Sequence, residues 1–266
     1  MGIVKILITV KTYPTPSKTY NELVCTAGVK EDGSWIRLYP IQFRQKPFAE
    51  QYKKYEWIEV DVLKNESDFR PESYRPVSFE SQIKVLGKIE TVSNWALRKR
   101  YVLQNIYTSL DKLIAEAKNK NICTSLATFK PTRIIDFIIK PVKERGWSQN
   151  KIDRLNQLNL FENKFELVKK LPYKFSYKIE DEEHKEHTMM IEDWETGQLF
   201  WNCLARYGDE KIAINKVKEK YFDDFALTKD LYLFLGTTKV HHYVAPNPFI
   251  IIGTFHPKKE TQLSLL

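Results

Sequence analysis

The sequence predicts an α+β fold: a bent antiparallel sheet or small barrel-like N-terminal lobe, packed with a helical middle and a C-terminal α+β part. Three observations predict it. Short β-branched runs separated by turn-forming residues fill the first ninety positions, as in a strongly bent sheet or barrel. Apolar residues at helical spacing follow over residues 94–120. Beyond residue 130, strand-like runs and amphipathic helices alternate. A length of 266 residues suits one large domain or two small ones. The change of pattern divides the chain into a β-rich lobe over 1–92 and a mixed α/β lobe over 93–266, with no flexible linker or internal repeat between them.

Taken in order, residues 3–10 form a continuous β-branched run that stops at Tyr13-Pro14-Thr15-Pro16-Ser17, which predicts a buried strand. Strands over 22–29 and 35–39 are joined by Lys30-Glu31-Asp32-Gly33-Ser34, whose Asp-Gly favours a hairpin. Residues 55–63 alternate as a fourth strand. Residues 69–76 contain Pro71 and Pro76, which predicts a loop without regular structure. One or two helices are expected over 94–120, with Arg98-Lys99-Arg100 on the first turns, an end of the helix dipole that disfavours cations. Strands are expected over 133–139, 165–171, 173–179 and 188–191, and a helix capped by Ser148 over 148–160. The segment 181–187 is a polar hairpin tip. Helices over 196–207, stopped by Gly208, and 209–225 precede two last strands, 231–235 and 248–255.

Composition excludes several classes. Hydrophobic residues make up 42% and aromatics 13%, too many for a disordered chain. No apolar run reaches the roughly 18 residues of a membrane span. The apolar start carries Lys5 and lacks a small-residue cleavage pattern, so no signal peptide is expected. Three scattered cysteines, Cys25, Cys123 and Cys203, suit a reducing cytoplasm. The net charge is +8 and unevenly spread. Residues 1–129 hold 20 basic and 14 acidic residues, residues 130–174 hold 11 and 5, and residues 175–266 hold 11 and 15. Such asymmetry points to a polyanionic partner.

On a strand, Trp35, Arg37 and Tyr39 share one face, mixing stacking surfaces with a guanidinium as single-stranded nucleic-acid platforms do. Arg44, Arg70 and Arg75 are expected to join them from loops, and Lys169 and Lys170 to supply phosphate contacts from the basic segment. Other clusters are weaker. His184 and His187 have metal-ligand spacing but no neighbouring thiolate, so no metal and no cofactor is expected. Gly236-Thr237-Thr238 lacks Walker spacing, and the segment reads as a loop with His241 and His242 exposed, convergence of one of them with His256 being the alternative. Cys25 reads as a small core residue. Glu56, Glu59 and Asp61, or Glu192, Asp193 and Glu195, offer partial carboxylate sets for a divalent ion.

Several segments resemble an uncharacterised bacterial protein family. They are Lys11-Thr12-Tyr13-Pro14 with Pro16-Ser17, Cys25-Thr26-Ala27-Gly28, the stretch 35–44, the stretch 70–74, Ile191-Glu192-Asp193-Trp194-Glu195, and Asn247-Pro248-Phe249-Ile250-Ile251-Ile252-Gly253. Similar proteins carry a Cys-x4-Cys-x2-His cluster at the hairpin tip, where this chain has Ile179, His184 and His187. The resemblance implies no particular activity. From the residues, the expectation is a cytoplasmic nucleic-acid-binding protein, for DNA or RNA with single strands favoured, acting in recognition or as an accessory component in defence or nucleic-acid processing. The alternatives are a metal-dependent nuclease or nucleotide-processing enzyme, and an interaction subunit whose acidic C-terminal part docks a protein partner.

Overall fold

A computed structural model describes residues 2–16, 22–153 and 166–260. Strand β1 (Gly2–Lys11) is apolar on both sides because both sides are covered. Its Ile6 and Ile8 point into a barrel, while Leu7 and Val10 face the C-terminal half. The short β2 (Thr15–Pro16) pairs with β3 (Glu22–Val29), which continues antiparallel to β1 and to β4 (Trp35–Ile41). Strand β5 (Glu56–Lys64) pairs with β1 along one edge. Its other edge is shared by β6 (Ser73–Pro76) at one end and β7 (Lys84–Lys88) at the other. Because β6 also pairs with β4, in parallel, the ring β1-β3-β4-β6-β5 closes. The barrel is filled by Ile6, Ile8, Ile36, Leu38, Ile58 and Val60 among others.

The middle and C-terminal parts supply helices and two further sheets, so the fold class is α+β as the sequence predicts. Helix α1 (Val92–Val102) and α2 (Leu110–Lys118) flank β8 (Ile106–Tyr107), which pairs in parallel with β9 (Leu126–Phe129). Strands β10 (Arg133–Pro141), β11 (Tyr173–Glu180) and β12 (Glu186–Met190) form an antiparallel sheet. Helix α3 (Trp194–Tyr207) ends on Gly208, whose φ of 68° permits the left-handed cap. Helix α4 (Glu210–Lys218) runs into a π-helix (Glu219–Ala226), and β13 (Tyr232–Thr237) and β14 (Phe249–Phe255) complete a sheet with β9 and β8. Among the described residues, no helix is long and apolar enough to cross a membrane.

Three local expectations are corrected. Residues 73–76 of the double-proline segment are strand β6, because Pro76 sits at its end where a missing N–H costs least. Residues 166–171 do not form a strand, and residue 165, like most of the helix expected over 148–160, lies outside the described residues. Arg98-Lys99-Arg100 is not on the first turns of a helix. Ser93, Asn94 and Trp95 are left-handed, and Lys99 and Arg100 occupy the last turn, where the dipole favours cations.

A buried polar staple fastens the barrel to the β13 sheet. Arg37 on β4 donates to Ser73 Oγ (3.2 Å), to Ser125 Oγ (2.9 Å) and to the Ser125 carbonyl (3.1 Å). Arg70 donates to the Thr237 carbonyl and pairs with Asp68. Burial pushes the Asp68 carboxyl up, but hydrogen bonds from Arg70 and Ser73 outweigh it and hold the group well below the usual carboxylate range. A carboxylate so depressed contributes stability that is complete above its unfolded pKa of about 4 and is lost as pH falls toward the folded value. Urea melts at graded pH are therefore expected to show stability falling below about pH 4. Asp68→Asn should cost about 3–5 kcal/mol at pH 7, with the gap narrowing in acid, because Arg70 is left buried and unpaired. A variant equally stable at pH 7 would contradict the staple.

Candidate functional site

Cationic and aromatic side chains line a cleft of about 570 Å³ between the barrel and the C-terminal half. It is positioned by one irregular segment. Thr12, just past β1, bridges to Asp193, Tyr13 N–H donates to the Glu192 carbonyl (3.0 Å), and Glu192 N–H donates to the Ile251 carbonyl on β14 (2.8 Å). The N-terminus of α3 is thereby laid against the end of β1. Tyr13 reinforces the join: Trp201 donates to its hydroxyl (2.8 Å), and its ring lies where a Cβ at Gly197 would come within 2.4 Å. Glycine is required there.

Asp193 does two jobs at this junction. It caps α3 by accepting from Glu195 N–H (3.2 Å), and both its oxygens accept from Lys54 Nζ at 2.9 Å. Lys54 also reaches Glu195 (2.9 Å). Burial would lower the Lys54 pKa, but Asp193 and Glu195 outweigh it and keep the ammonium charged. Lys11, at the end of β1, hangs over the rings of Phe43 (4.4 Å) and Trp194 (5.1 Å), and burial, then the charge of Lys54, lowers it to about 8. Lys53 and Lys88 on the rim are exposed, and among the described residues no carboxylate pairs with either ammonium.

The opposite wall is aromatic. His256, just past β14, stacks on Phe225 of the π-helix (3.6 Å between centroids), and burial depresses it to about 4, so the ring is neutral at pH 7. Helices of this kind recur at functional sites. Trp95 stands edge-on to His256 (5.0 Å) and Tyr55 (6.0 Å), and the Arg98 guanidinium covers the Tyr55 ring at 3.9 Å while donating to the Ile89 carbonyl. Each left-handed residue of the Ser93–Trp95 turn costs on the order of 1–2 kcal/mol. The turn is held by two hydrogen bonds between Asn94 and the Lys258 backbone, at 2.8 and 3.0 Å.

The eight residues singled out in the sequence do not gather into one face. Arg37 is 2% exposed and Arg70 5%, and both belong to the interior staple, so neither offers a guanidinium to solvent. Strand alternation placed Arg37 beside Trp35 and Tyr39, but the β13 sheet covers that face. Trp35 packs edge-on against Phe234 (5.4 Å), and Tyr39 is partly exposed. Arg44 pairs with the buried Glu22 (2.8 Å). Arg75 is exposed beside the carbonyls of Pro76 and Val77. Lys169 lies over Trp201 (5.4 Å), and Lys170 donates to the Gly146 carbonyl (3.2 Å).

Much of the uneven charge is answered within the chain. Lys130 pairs with Asp230, Arg133 with Glu180 (2.6 Å) and Arg145 with Glu210, so cations of the basic segment meet carboxylates of the acidic one. His184 and His187 face Glu180 (3.1 Å) and Asp181 (3.3 Å). His241 is exposed as the loop reading expects, but His242 is buried against Thr237 Oγ1 (2.8 Å) and the Ala117 carbonyl and lines none of the cleft that holds His256, so the alternative convergence does not occur. Burial raises the Cys25 thiol, with Arg37 opposing. Among the described residues no three His, Cys, Asp or Glu side chains are grouped as metal ligands.

Fold and cleft together define an α+β chain in which a closed N-terminal barrel and a C-terminal half share one basic, aromatic-walled cleft. The chain belongs to the family described as Domain of unknown function (DUF8757), whose model matches residues 106–266; the model described as Domain of unknown function (DUF8758) matches residues 3–104. No curated protein matches it. Nine solved chains do, among them the murine "Structure of murine DNA binding protein bound with ds DNA", 11% identical over 98% of each chain with a TM-score of 0.33.

Burial raises the Asp193 carboxyl to about 6 even with Lys54 opposing. If the pair holds the junction, Lys54→Met should cost about 3–5 kcal/mol in chemical denaturation, because the buried carboxyl loses its counter-charge and its hydrogen-bond donor. Adding Asp193→Asn should restore a large part of that loss. A single variant within about 0.5 kcal/mol of wild type would show that the junction does not depend on the pair.

Proposed function

We propose that this protein binds nucleic acid, preferring an unpaired strand, and that the cleft between the barrel and the C-terminal half is where the strand is held. The observation that carries this proposal is the meeting of rim cations, Lys53 and Lys88, that no described carboxylate neutralises with the aromatic side chains of Trp194 and Phe225 in one concave site. Phosphates are attracted to the rim, and a base can stack on the walls only if it is unpaired. The chain's net charge of +8 adds long-range attraction for a polyanion. Lys11 strengthens the site while it is protonated, so binding should weaken as pH rises through about 8.

Fluorescence anisotropy with labelled single strands and duplexes at graded salt tests the proposal. Affinity should fall linearly on a log–log plot as counterions are released. Lys53→Glu with Lys88→Glu should weaken binding at least tenfold for all sequences and reduce the salt slope by about 1–2. Wild-type protein without salt-dependent binding, or a charge-reversed variant indistinguishable from it, would contradict the proposal.

A further inference from the structure

Among the described residues, six buried side-chain polar atoms have no hydrogen-bond partner, and three of them belong to residues lining this one cleft. They are Tyr55 Oη, Thr254 Oγ1 and His256 Nδ1. Tyr55 is 6% exposed and Thr254 3%. A buried polar atom without a partner is costly, and native proteins carry few of them. Their concentration under one cleft needs a cause. Thr254 and His256 lie two residues apart at the end of β14, so strand alternation brings both to one side.

Trp95 is the ring that stands over this floor. It meets Tyr55, Phe255 and His256 edge-on, yet it is itself only half-buried, and it sits at the end of the left-handed turn pinned to Lys258. Moving the ring gives up these edge contacts and the Arg98 guanidinium over it (4.9 Å), but it releases the left-handed strain of the turn and uncovers the unsatisfied atoms.

We propose that Trp95 is a displaceable cover, and that the ligand taking its place is a single nucleobase whose polar edge satisfies Tyr55, Thr254 and His256. The choice of a base follows from the chemistry of the place. Its ring is planar and of indole size, its edge carries adjacent donors and acceptors, and its phosphate extends toward the lysine rim. Two hydroxyls and a neutral imidazole donate or accept as the base requires. This inference rests on the nucleic-acid proposal above and deepens it: the cleft discriminates a base from a bare sugar phosphate.

The test measures binding of the four nucleoside 5′-monophosphates and of ribose 5-phosphate by calorimetry, alongside single-strand binding by anisotropy. At least one nucleotide should bind tenfold or more tightly than ribose 5-phosphate. Tyr55→Phe and Thr254→Val should each lose about tenfold of that preference, with melting temperature unchanged or raised and the single-strand salt slope unchanged. Trp95→Ala should bind the nucleotide at least as tightly as wild type, because the cover competes with it. Nucleotides that bind no better than ribose 5-phosphate, or hydroxyl-deleted variants that keep the preference, would overturn the inference. So would weaker nucleotide binding by Trp95→Ala. If single strands still bind with a steep salt slope in those cases, the nucleic-acid proposal survives; if no strand binds, both fall.

Discussion

The ion pair between Lys54 and Asp193 is the constraint on which the junction rests. Lys54 stands just before β5 of the barrel, and Asp193 opens the first long helix of the C-terminal half. Two buried charges at 2.9 Å tolerate little displacement, because separating them leaves Asp193 without water or a counter-charge. The neighbouring backbone bonds from Tyr13 to Glu192 and from Glu192 to Ile251 then set β1, α3 and β14 in fixed register. The cleft lies where those three elements meet α1, β7 and the π-helix. Its chemistry follows from what ends there: Lys11 at the end of β1, Trp194 and Glu195 at the start of α3, and His256 after β14.

Charge is used in two different ways in this molecule. Inside, Arg37 and Arg70 are consumed as structural donors to carbonyls and hydroxyls, and Lys54 is neutralised by two carboxylates. On the surface, cations of the basic segment pair with the acidic C-terminal part, which accounts for much of the lopsided distribution along the chain. Only cations that neither use absorbs are available to an outside anion. Lys53 and Lys88 are such groups, and they stand on the rim of the same cleft.

The barrel was legible in the sequence because its signals are local. Residues 22–29 read as a strand and are one, since β-branched and small residues between an open turn and Asp-Gly leave few alternatives. The site was legible only in fragments. His256, Asp193 and Glu195 drew attention separately, as did Arg98, but each was weighed with its sequence neighbours. Their partners lie far off in sequence: Phe225 is 31 and Trp95 161 positions from His256, Tyr55 is 43 from Arg98, and Lys54 is 139 from Asp193, and no periodicity encodes such distances. Arg37 misled for a related reason: alternation shows which face a side chain takes, but not whether another sheet will cover it. Trp95 was missed, because a tryptophan beside Ala96 and Leu97 reads as one more apolar position of the expected helix.

Under the proposed function an unpaired strand is held in the cleft and not on the outer surfaces that carry Arg75, Lys169 and Lys170. Photo-crosslinking with a single strand containing 5-iodouracil, followed by peptide mapping, addresses it most directly. The crosslinked residues should be Trp95 and Trp194 or their immediate neighbours, with yield falling as salt rises. Crosslinks confined to residues 75–79 or 166–170, with none at the cleft, would contradict the claim.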